Sequence, residues 1–563
     1  MKIEQCDVLV VGSGGAALKA ALTSAQHGVD TLLITKGKYG LCGATASGVA
    51  ETGGFCSADG KTDPEDNPDI FYNDIIQAGR GMCDPVLARL LADKSVEIFY
   101  ETEKLGVKFD RDANGNYIQK KSCFTSKPRM HMLQRHGMQI VEVLKKHVIA
   151  NGVRIFDQTM VTEIITKNNR AVGVVAINEK GDFLAIQAKA VILGTGGAGQ
   201  LFQYNLSTPE MTGDGYALGY RAGAELKNME FLQMGEGFVY PFTNIFHPWA
   251  WPLQPRIFNS AGDEFLKKYL PENVDYKNLF NIRGTYYPFS CNKESFILDV
   301  AIKKEMLSGK MTQHGGVYLD FTQSGAGVGD DGTELANMWP HMNQWLKSKG
   351  IDIKKDKLEV GLMFHAVNGG MCINENAKTT VDMLYAAGEG AAGPHGADRV
   401  GGGMLLTCQV FGKIAGENAA KNIKNVNFED ISGEVNRLKD VHKEIFRKRG
   451  DTRPEELINI IRHSMWETVM IVRTEKGLKR NLEILEEVKE RIENLHVACI
   501  QDVRKYYELE NMLLVGEMIT RACLTRTESR GSHYREDYPN SSEAWLNFVK
   551  IRKDHDMMSI SVV

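Results

Sequence analysis

Hydrophobic and polar positions alternate between strand-like runs and helical stripes for most of the first 420 residues. Residues 6–11 (CDVLVV) form an apolar run closed by Gly12-Ser13-Gly14-Gly15. The stretch AALKAALTSAQHG then reads as a helix ending at Gly28, and TLLITK at 31–36 is a second apolar run. That is a β-α-β unit. The same strand-to-glycine junction recurs at AKAVILGTGGAGQLF (188–202), which leads into a helix entered through Gly213-Asp214-Gly215. It recurs again in MLYAAGEGAAGPHGADRVGGGMLLTCQVFGKIAGENAA (383–420). Between about 234 and 355 the texture changes to aromatics, prolines and turn residues. From about 426 the chain is charged, with apolar residues at three- and four-residue spacing. The pattern predicts an α/β protein in which one nucleotide-type fold is interrupted by an inserted domain and followed by a helical bundle.

The first glycine turn suits a phosphate. Gly12 permits the tight turn, Gly14 lets a pyrophosphate approach the backbone, and Ala17 is small enough for close helix–strand packing. The acidic residue that would hold an adenosine ribose at the end of the second strand is replaced by Thr35-Lys36, which weakens a plain NAD reading.

Composition narrows the picture further. With 563 residues, 43% hydrophobic and 25% charged, the chain has the make-up of a globular protein of several domains. A formal net charge of −4, without a basic stripe, argues against nucleic acid as a partner. The ten cysteines are scattered and no two stand in C-x-x-C spacing, so neither an iron–sulfur cluster nor a metal site is expected in this chain. No run is long and apolar enough for a membrane span, and the start lacks a secretory leader pattern, so a cytoplasmic protein with reduced thiols is expected.

The segments DVLVVGSGGAALKAAL, GTGGAGQLF, TGDGYALGYRAGAELKNMEFLQ, FHAVNGGMCINE, LYAAGEGAAGPHGADRVGGG and RTESRGSHYREDYP occur in the order of one family. Together they resemble the flavoprotein subunits of succinate dehydrogenase and fumarate reductase, with L-aspartate oxidase and adenylylsulfate reductase as relatives. The resemblance implies a Rossmann-like FAD-binding domain (1–233 and 356–425) interrupted by an α+β capping domain (234–355), then a C-terminal helical domain and tail (426–563). It implies an FAD site formed by Gly12, Gly14, Gly15, Ala16, Lys36, Ser47, Gly53, Gly54, Thr195, Gly196, Asp214, Glu389, Met404 and Leu405. Within that site Lys36 would lie near the adenosine and Glu389 beside the ribityl chain. Many members attach FAD through a histidine; in ASGVAETGG (46–54) Ser47 stands at that position, which implies non-covalent FAD.

The resemblance also assigns an active site, and here the chain departs from the pattern. Arg399 matches an arginine that grips a substrate carboxylate, a task for a planar, permanently charged fork, and His365 matches a histidine at the same end of the substrate. The bland alternatives are an Arg399–Asp398 ion pair and a core histidine. Gly235 replaces the histidine that would reach a second carboxylate. The family's proton-donating arginine is absent near SCNKESFILDVAI, where Lys293 is the nearest substitute. His247, Arg283, Tyr286 and Tyr287 are further candidate donors, and Trp249 and Trp251 candidate pocket aromatics. The resemblance thus implies a CH-CH oxidoreductase acting on an unsaturated or aromatic carboxylate or thioester other than fumarate. Adenylylsulfate-reductase-like, stand-alone oxidase and non-catalytic electron-transfer readings remain alongside. Family habit implies an iron–sulfur partner protein. The cluster Arg526, Arg530, His533 and Arg535 is read either as part of its docking surface or as a salt-bridge network.

Overall fold

A computed structural model describes residues 3–47, 54–133, 135–323 and 343–563. The strand β1 (Ile3–Val11) leads through the glycine turn into the helix α1 (Gly15–Gln26) and on to β2 (Thr31–Ile34). β1 sits in the middle of a seven-stranded sheet, parallel to β2 on one side and to Phe183–Leu193 on the other, with Val10 opposite both Leu33 and Ile192. Val8, Leu9, Val10, Leu32, Leu33 and Ile34 are fully buried, as expected of parallel strands covered on both faces. The short strand Leu384–Ala386 adds in parallel to Phe183–Leu193, so residues nearly two hundred positions apart complete one sheet.

Helix α1 packs against the helix Gly403–Asn422 at very close range. A methyl group on Gly412 would lie 2.6 Å from the Ala16 carbonyl oxygen, and one on Gly416 would lie 2.5 Å from that of Ala20. Small residues at these crossings bring the middle of the second helix beside the start of the first, which places Cys408 next to Gly15 and Ala16 on one cleft.

The inserted domain contains a five-stranded antiparallel sheet in the order Asn244–Ile245, Leu232–Tyr240, Leu358–Val367, Val317–Asp320, Arg256–Phe258. The strand Leu358–Val367 belongs to this sheet although it lies past the expected boundary at 355. Its pairing with Leu232–Tyr240 slips at two points, between Phe238 and Tyr240 and between Gln233 and Met234; at the latter Gln233 opposes Ala366 while Met234 opposes Phe364, leaving His365 as the extra residue. Such a bulge re-aims a side chain, and here it falls at a candidate site residue.

The C-terminal region is helical over Ser432–Arg447, Pro454–Thr468, Glu475–Arg491 and Ile500–Thr525. The tail, however, folds as a β-hairpin, Val549–Asp554 with Met557–Val562, which pairs with Leu226–Lys227. Among the described residues no helix is long and apolar enough to cross a membrane, and no group of His, Cys, Asp and Glu side chains is arranged to hold a metal ion.

Candidate active site

Two cavities meet at Ala44, Thr45, Glu389, Met404 and Cys408. The smaller, about 120 Å³, runs along the glycine turn, and the larger, about 970 Å³, opens between the nucleotide fold and the inserted sheet.

The smaller cleft is built mainly from backbone. Gly12 has φ of +115°, and a side chain there would put its Cβ 2.3 Å from the Gly194 carbonyl oxygen, so only glycine fits. Gly14 is the N-cap of α1, with no side chain capping the helix, and a Cβ on it would meet nothing within 4 Å. An uncapped helix start facing open space fits a pyrophosphate. Gly12, Gly14, Gly15, Ala16, Lys36, Thr195, Gly196, Asp214, Glu389 and Met404 all line this cleft. The Thr195 hydroxyl is buried without a partner among the described residues, and the backbone N–H of Gly15 reaches Thr45 Oγ1 at 3.4 Å.

Lys36 and Asp214 are less free than the sequence reading anticipates. Lys36 Nζ donates to Thr212 Oγ1 (2.6 Å) and Asp214 Oδ2 (2.8 Å) and lies 3.0 Å from Glu508. Burial pulls the amine down, but the Asp214 and Glu508 carboxylates outweigh it and hold it above its ordinary value. Both residues therefore wall the cleft chiefly as a cross-link between its floor and the helix Ile500–Thr525. Ser47 ends the short helix Ala44–Ser47; it is exposed, its hydroxyl donates to the Ala44 carbonyl, and it lines neither cavity. Gly53 lies outside the described residues. Gly54 and Leu405 line the larger cavity.

Glu389 stands at the junction of the two cavities. It accepts the Val367 N–H at 3.0 Å, and burial pushes its carboxyl up to about 7. A methyl group on Gly197 would collide with it, so the glycine of GTGGAG makes room for this carboxyl.

On the larger cavity's wall, Arg399 is 8% exposed. Its Nε and Nη2 both donate to Gln233 Oε1 (3.0 and 2.7 Å), and Nη2 lies 3.4 Å from His365 Nε2. Among the described residues it makes no ion pair. Asp398 instead accepts from Ser290 (2.6 Å) and Arg80 (3.2 Å), so the weighed Arg399–Asp398 pair does not form. Burial draws the guanidinium below its ordinary value, opposed by Glu389. His365 is pushed down to about 3 by burial and by Arg399, so it is a neutral imidazole, and its Nδ1 has no partner among the described residues.

The alternative donors separate cleanly. Arg283 is bound to Glu236 and also pairs with Asp299 at 3.2 Å, while the Tyr286 hydroxyl bonds Ser295 at 2.6 Å. Both are structural. Lys293 lines the cavity, its amine 5.7 Å from the Phe124 ring centre and 5.8 Å from that of Tyr286. His247 lines it too, stacked on Trp249, and burial pushes it down to about 4. Trp249 faces the cavity; Trp251 is fully buried against Phe280 and does not. Tyr287 also lines the cavity, and its buried hydroxyl has no partner among the described residues.

Gln233 is a site residue that motif reading passed over. It lies two positions before Gly235 on one strand, hence on the same face, and strand alternation alone could have flagged it. The C-terminal cluster is an internal network: Arg526 pairs with Glu230 (2.7 Å) and Glu528 (2.9 Å), Arg530 with Glu528 (2.8 Å), Arg535 with Asp537 (2.8 Å), and His533 bonds Arg473. All four residues of the cluster are buried, so the salt-bridge reading holds and the docking reading does not.

Comparison with known proteins fits this geometry. Residues 7–405 match the family described as FAD binding domain, and residues 459–563 match that described as Fumarate reductase flavoprotein C-term. A fumarate reductase (CoM/CoB) chain of Methanothermobacter marburgensis is 31% identical, the match covering 98% of each protein. L-aspartate oxidase of Yersinia pestis is 28% identical over 95% of this chain and 97% of its own. The solved structure of Mycobacterium smegmatis Sdh1 in complex with UQ1 superposes with a TM-score of 0.85 at 27% identity, covering 100% of this chain and 94% of that one. When bound, FAD supplies hydride chemistry; the glycine turn and the start of α1 fit its pyrophosphate, and Glu389 stands where the two cavities join. The chain belongs to the succinate dehydrogenase and fumarate reductase flavoprotein family and is an FAD-dependent oxidoreductase of the CH-CH type.

Proposed function

We propose that this flavoprotein exchanges a hydride between non-covalent FAD and an unsaturated or aromatic carboxylate or thioester other than fumarate, in the cytoplasm, with an iron–sulfur protein as electron partner. The observation that carries the reading is Arg399: a buried guanidinium that, among the described residues, is bound only to an amide oxygen and a neutral imidazole, on the wall of a large cavity. An anion is its natural complement. Lys121, Lys277 and Lys293 line the same cavity, and Glu389 is the only carboxylate on its wall among the described residues. Gly235 offers no side chain to a second carboxylate, and Trp249 and Pro248 give the far side an apolar lining. At about 970 Å³ the cavity is at the upper end of small-molecule sites, which favours a substrate larger than a four-carbon diacid beside the flavin ring.

The Methanothermobacter marburgensis relative, named a fumarate reductase, supports a second reading in which fumarate is the acceptor. The iron–sulfur partner rests on the family, since the described residues hold no cluster ligands of their own. Anaerobic reoxidation of the reduced holoprotein by fumarate, crotonate and cinnamate separates the readings. Faster reoxidation by cinnamate or crotonate supports the first; fastest reoxidation by fumarate overturns it in favour of the second. Acid precipitation should leave FAD in the supernatant, and flavin in the pellet would mean a covalent bond.

A further inference from the structure

Tyr287 and Gly235 occupy one space. A Cβ built on Gly235 would lie 2.7 Å from Tyr287 Cζ and 3.0 Å from its hydroxyl oxygen, so the absent side chain is what allows the phenol to stand where it does. The backbone fixes the ring from both sides: the Tyr287 N–H donates to Cys123 Sγ (3.0 Å), and the Phe289 N–H donates to the Met234 carbonyl (2.6 Å) beside Gly235. The ring meets the His365 imidazole edge to face, centres 5.7 Å apart, and His365 is the neighbour of Arg399. Tyr287 is 8% exposed, lines the cavity, and its hydroxyl is unpartnered among the described residues. A buried hydroxyl without a partner costs about 1–3 kcal/mol, and because the oxygen itself is enclosed over Gly235, a turn of the ring towards the cavity is what would let a ligand relieve that cost.

We propose that Tyr287 is the proton donor of this site, delivering its hydroxyl proton to the substrate carbon next to the carboxylate held by Arg399. The inference rests on the reading of the substrate as an unsaturated carboxylate. In the reductive direction bound, reduced FAD would supply the hydride that completes a C–H bond at the far alkene carbon. The π pair then becomes the new C–H bond at the near carbon, taking the Tyr287 proton, and solvent returns a proton to the tyrosinate oxygen. Other groups at the clamp are worse suited. Arg399 is committed to Gln233 and to the carboxylate, and His365 is a neutral imidazole, whose N–H is a weaker acid than a phenol. Burial raises the phenol well above its ordinary value, so Tyr287 keeps its proton until a strongly basic carbon develops beside it.

The test uses reduced holoenzyme with cinnamate, crotonate and fumarate in D₂O, and titration of the oxidised flavin spectrum with cinnamate. Tyr287→Phe is expected to slow reoxidation by about 100-fold or more while the cinnamate Kd stays within about threefold. The deuterium placed next to the carboxylate on one face by the wild type should appear on both faces in the residual product. Gly235→Ala keeps the hydroxyl but displaces it, and should slow the same step by about tenfold without moving FAD content. A Tyr287→Phe enzyme that reoxidises at the wild-type rate, or that keeps one-faced deuteration, overturns the role of Tyr287 alone. A weakened Kd with unchanged rate makes it a binding residue and equally overturns the proposal. A wild-type flavin that none of the three acids reoxidises removes the substrate reading and this inference with it.

Discussion

The molecule buries arginines in several places, and two of them treat the charge in opposite ways. Behind the nucleotide fold, Arg526 and Arg530 are held by Glu230 and Glu528, with every charge met by another. At the cavity, Arg399 is equally enclosed but meets an amide oxygen and a neutral ring. The first arrangement is complete and therefore architectural. The second leaves a buried positive charge without an ion-pair partner among the described residues, which a fold tolerates where a ligand supplies the anion. Burial and residue type are the same in both; Arg473 is likewise buried without a carboxylate, held by two backbone carbonyls and His533, so what marks Arg399 as a site residue is a missing counter-charge on the wall of a cavity.

The contrast can be pressed with substitutions. Arg526→Met strips the partner from buried Glu230 and one of two partners from buried Glu528, and should destabilise the protein by about 3–5 kcal/mol, seen as a large drop in thermal midpoint or loss of soluble protein. A change under about 1 kcal/mol would place Arg526 with Arg399 instead. Arg399→Gln should lower kcat/KM by about 1,000-fold, about 4 kcal/mol, yet leave the midpoint unchanged or raised, because it removes an unpaired buried charge. Unfolding of Arg399→Gln to the same degree as Arg526→Met would dissolve the distinction.

Glu389 gives a smaller effect in the apoprotein. Burial raises its carboxyl from 4.5 to about 7, so the folded state binds the proton more tightly than the unfolded chain. Its contribution is fully present below pH 4.5 and declines by roughly 3 kcal/mol as pH rises through 7. His365, depressed to about 3, works the other way over more acidic pH, adding stability as pH rises from 3 towards 6.5. The difference in midpoint between wild type and Glu389→Gln across pH 5 to 8 isolates the carboxyl: the variant should lose the decline. Smallest of all, Gly14→Ala should leave apoprotein stability within about 1 kcal/mol, because its methyl group enters open space, while weakening FAD about tenfold or more by crowding the pyrophosphate. Equilibrium dialysis against FAD reads this directly.

The parts of the site that are local in sequence were legible there. The turn from β1 into α1 shows itself because strand, glycines and helix are consecutive, and Arg399 stands out in HGADRVGGG. The fit of Tyr287 to Gly235 was not legible. Both residues drew notice separately, one as a spare donor and the other as a missing histidine, but nothing in the order of residues says that one fills the other's space. The fate of Lys36 was hidden for the same reason, since Glu508 comes from a helix at the far end of the chain. The terminal hairpin escaped because only Val549 and Ile551 of its first strand are buried, and Arg552 and Lys553 mask the alternation. His365 was marked by the resemblance, but the way it is presented to Arg399 was not legible, because the slip in pairing beside it belongs to the sheet, not to the strand.

The strand Leu384–Ala386 closes the central sheet beside Phe183–Leu193 and hands the chain directly to Glu389, while Gly388 packs against Ala16 of the first helix. A ribosome making this protein releases the phosphate-binding turn almost at once, but must add most of the chain before the cleft has its other wall. Flavin capture is therefore a late event in the life of each molecule, and a chain truncated within the inserted domain should emerge with its first glycines in place and no means of retaining the cofactor.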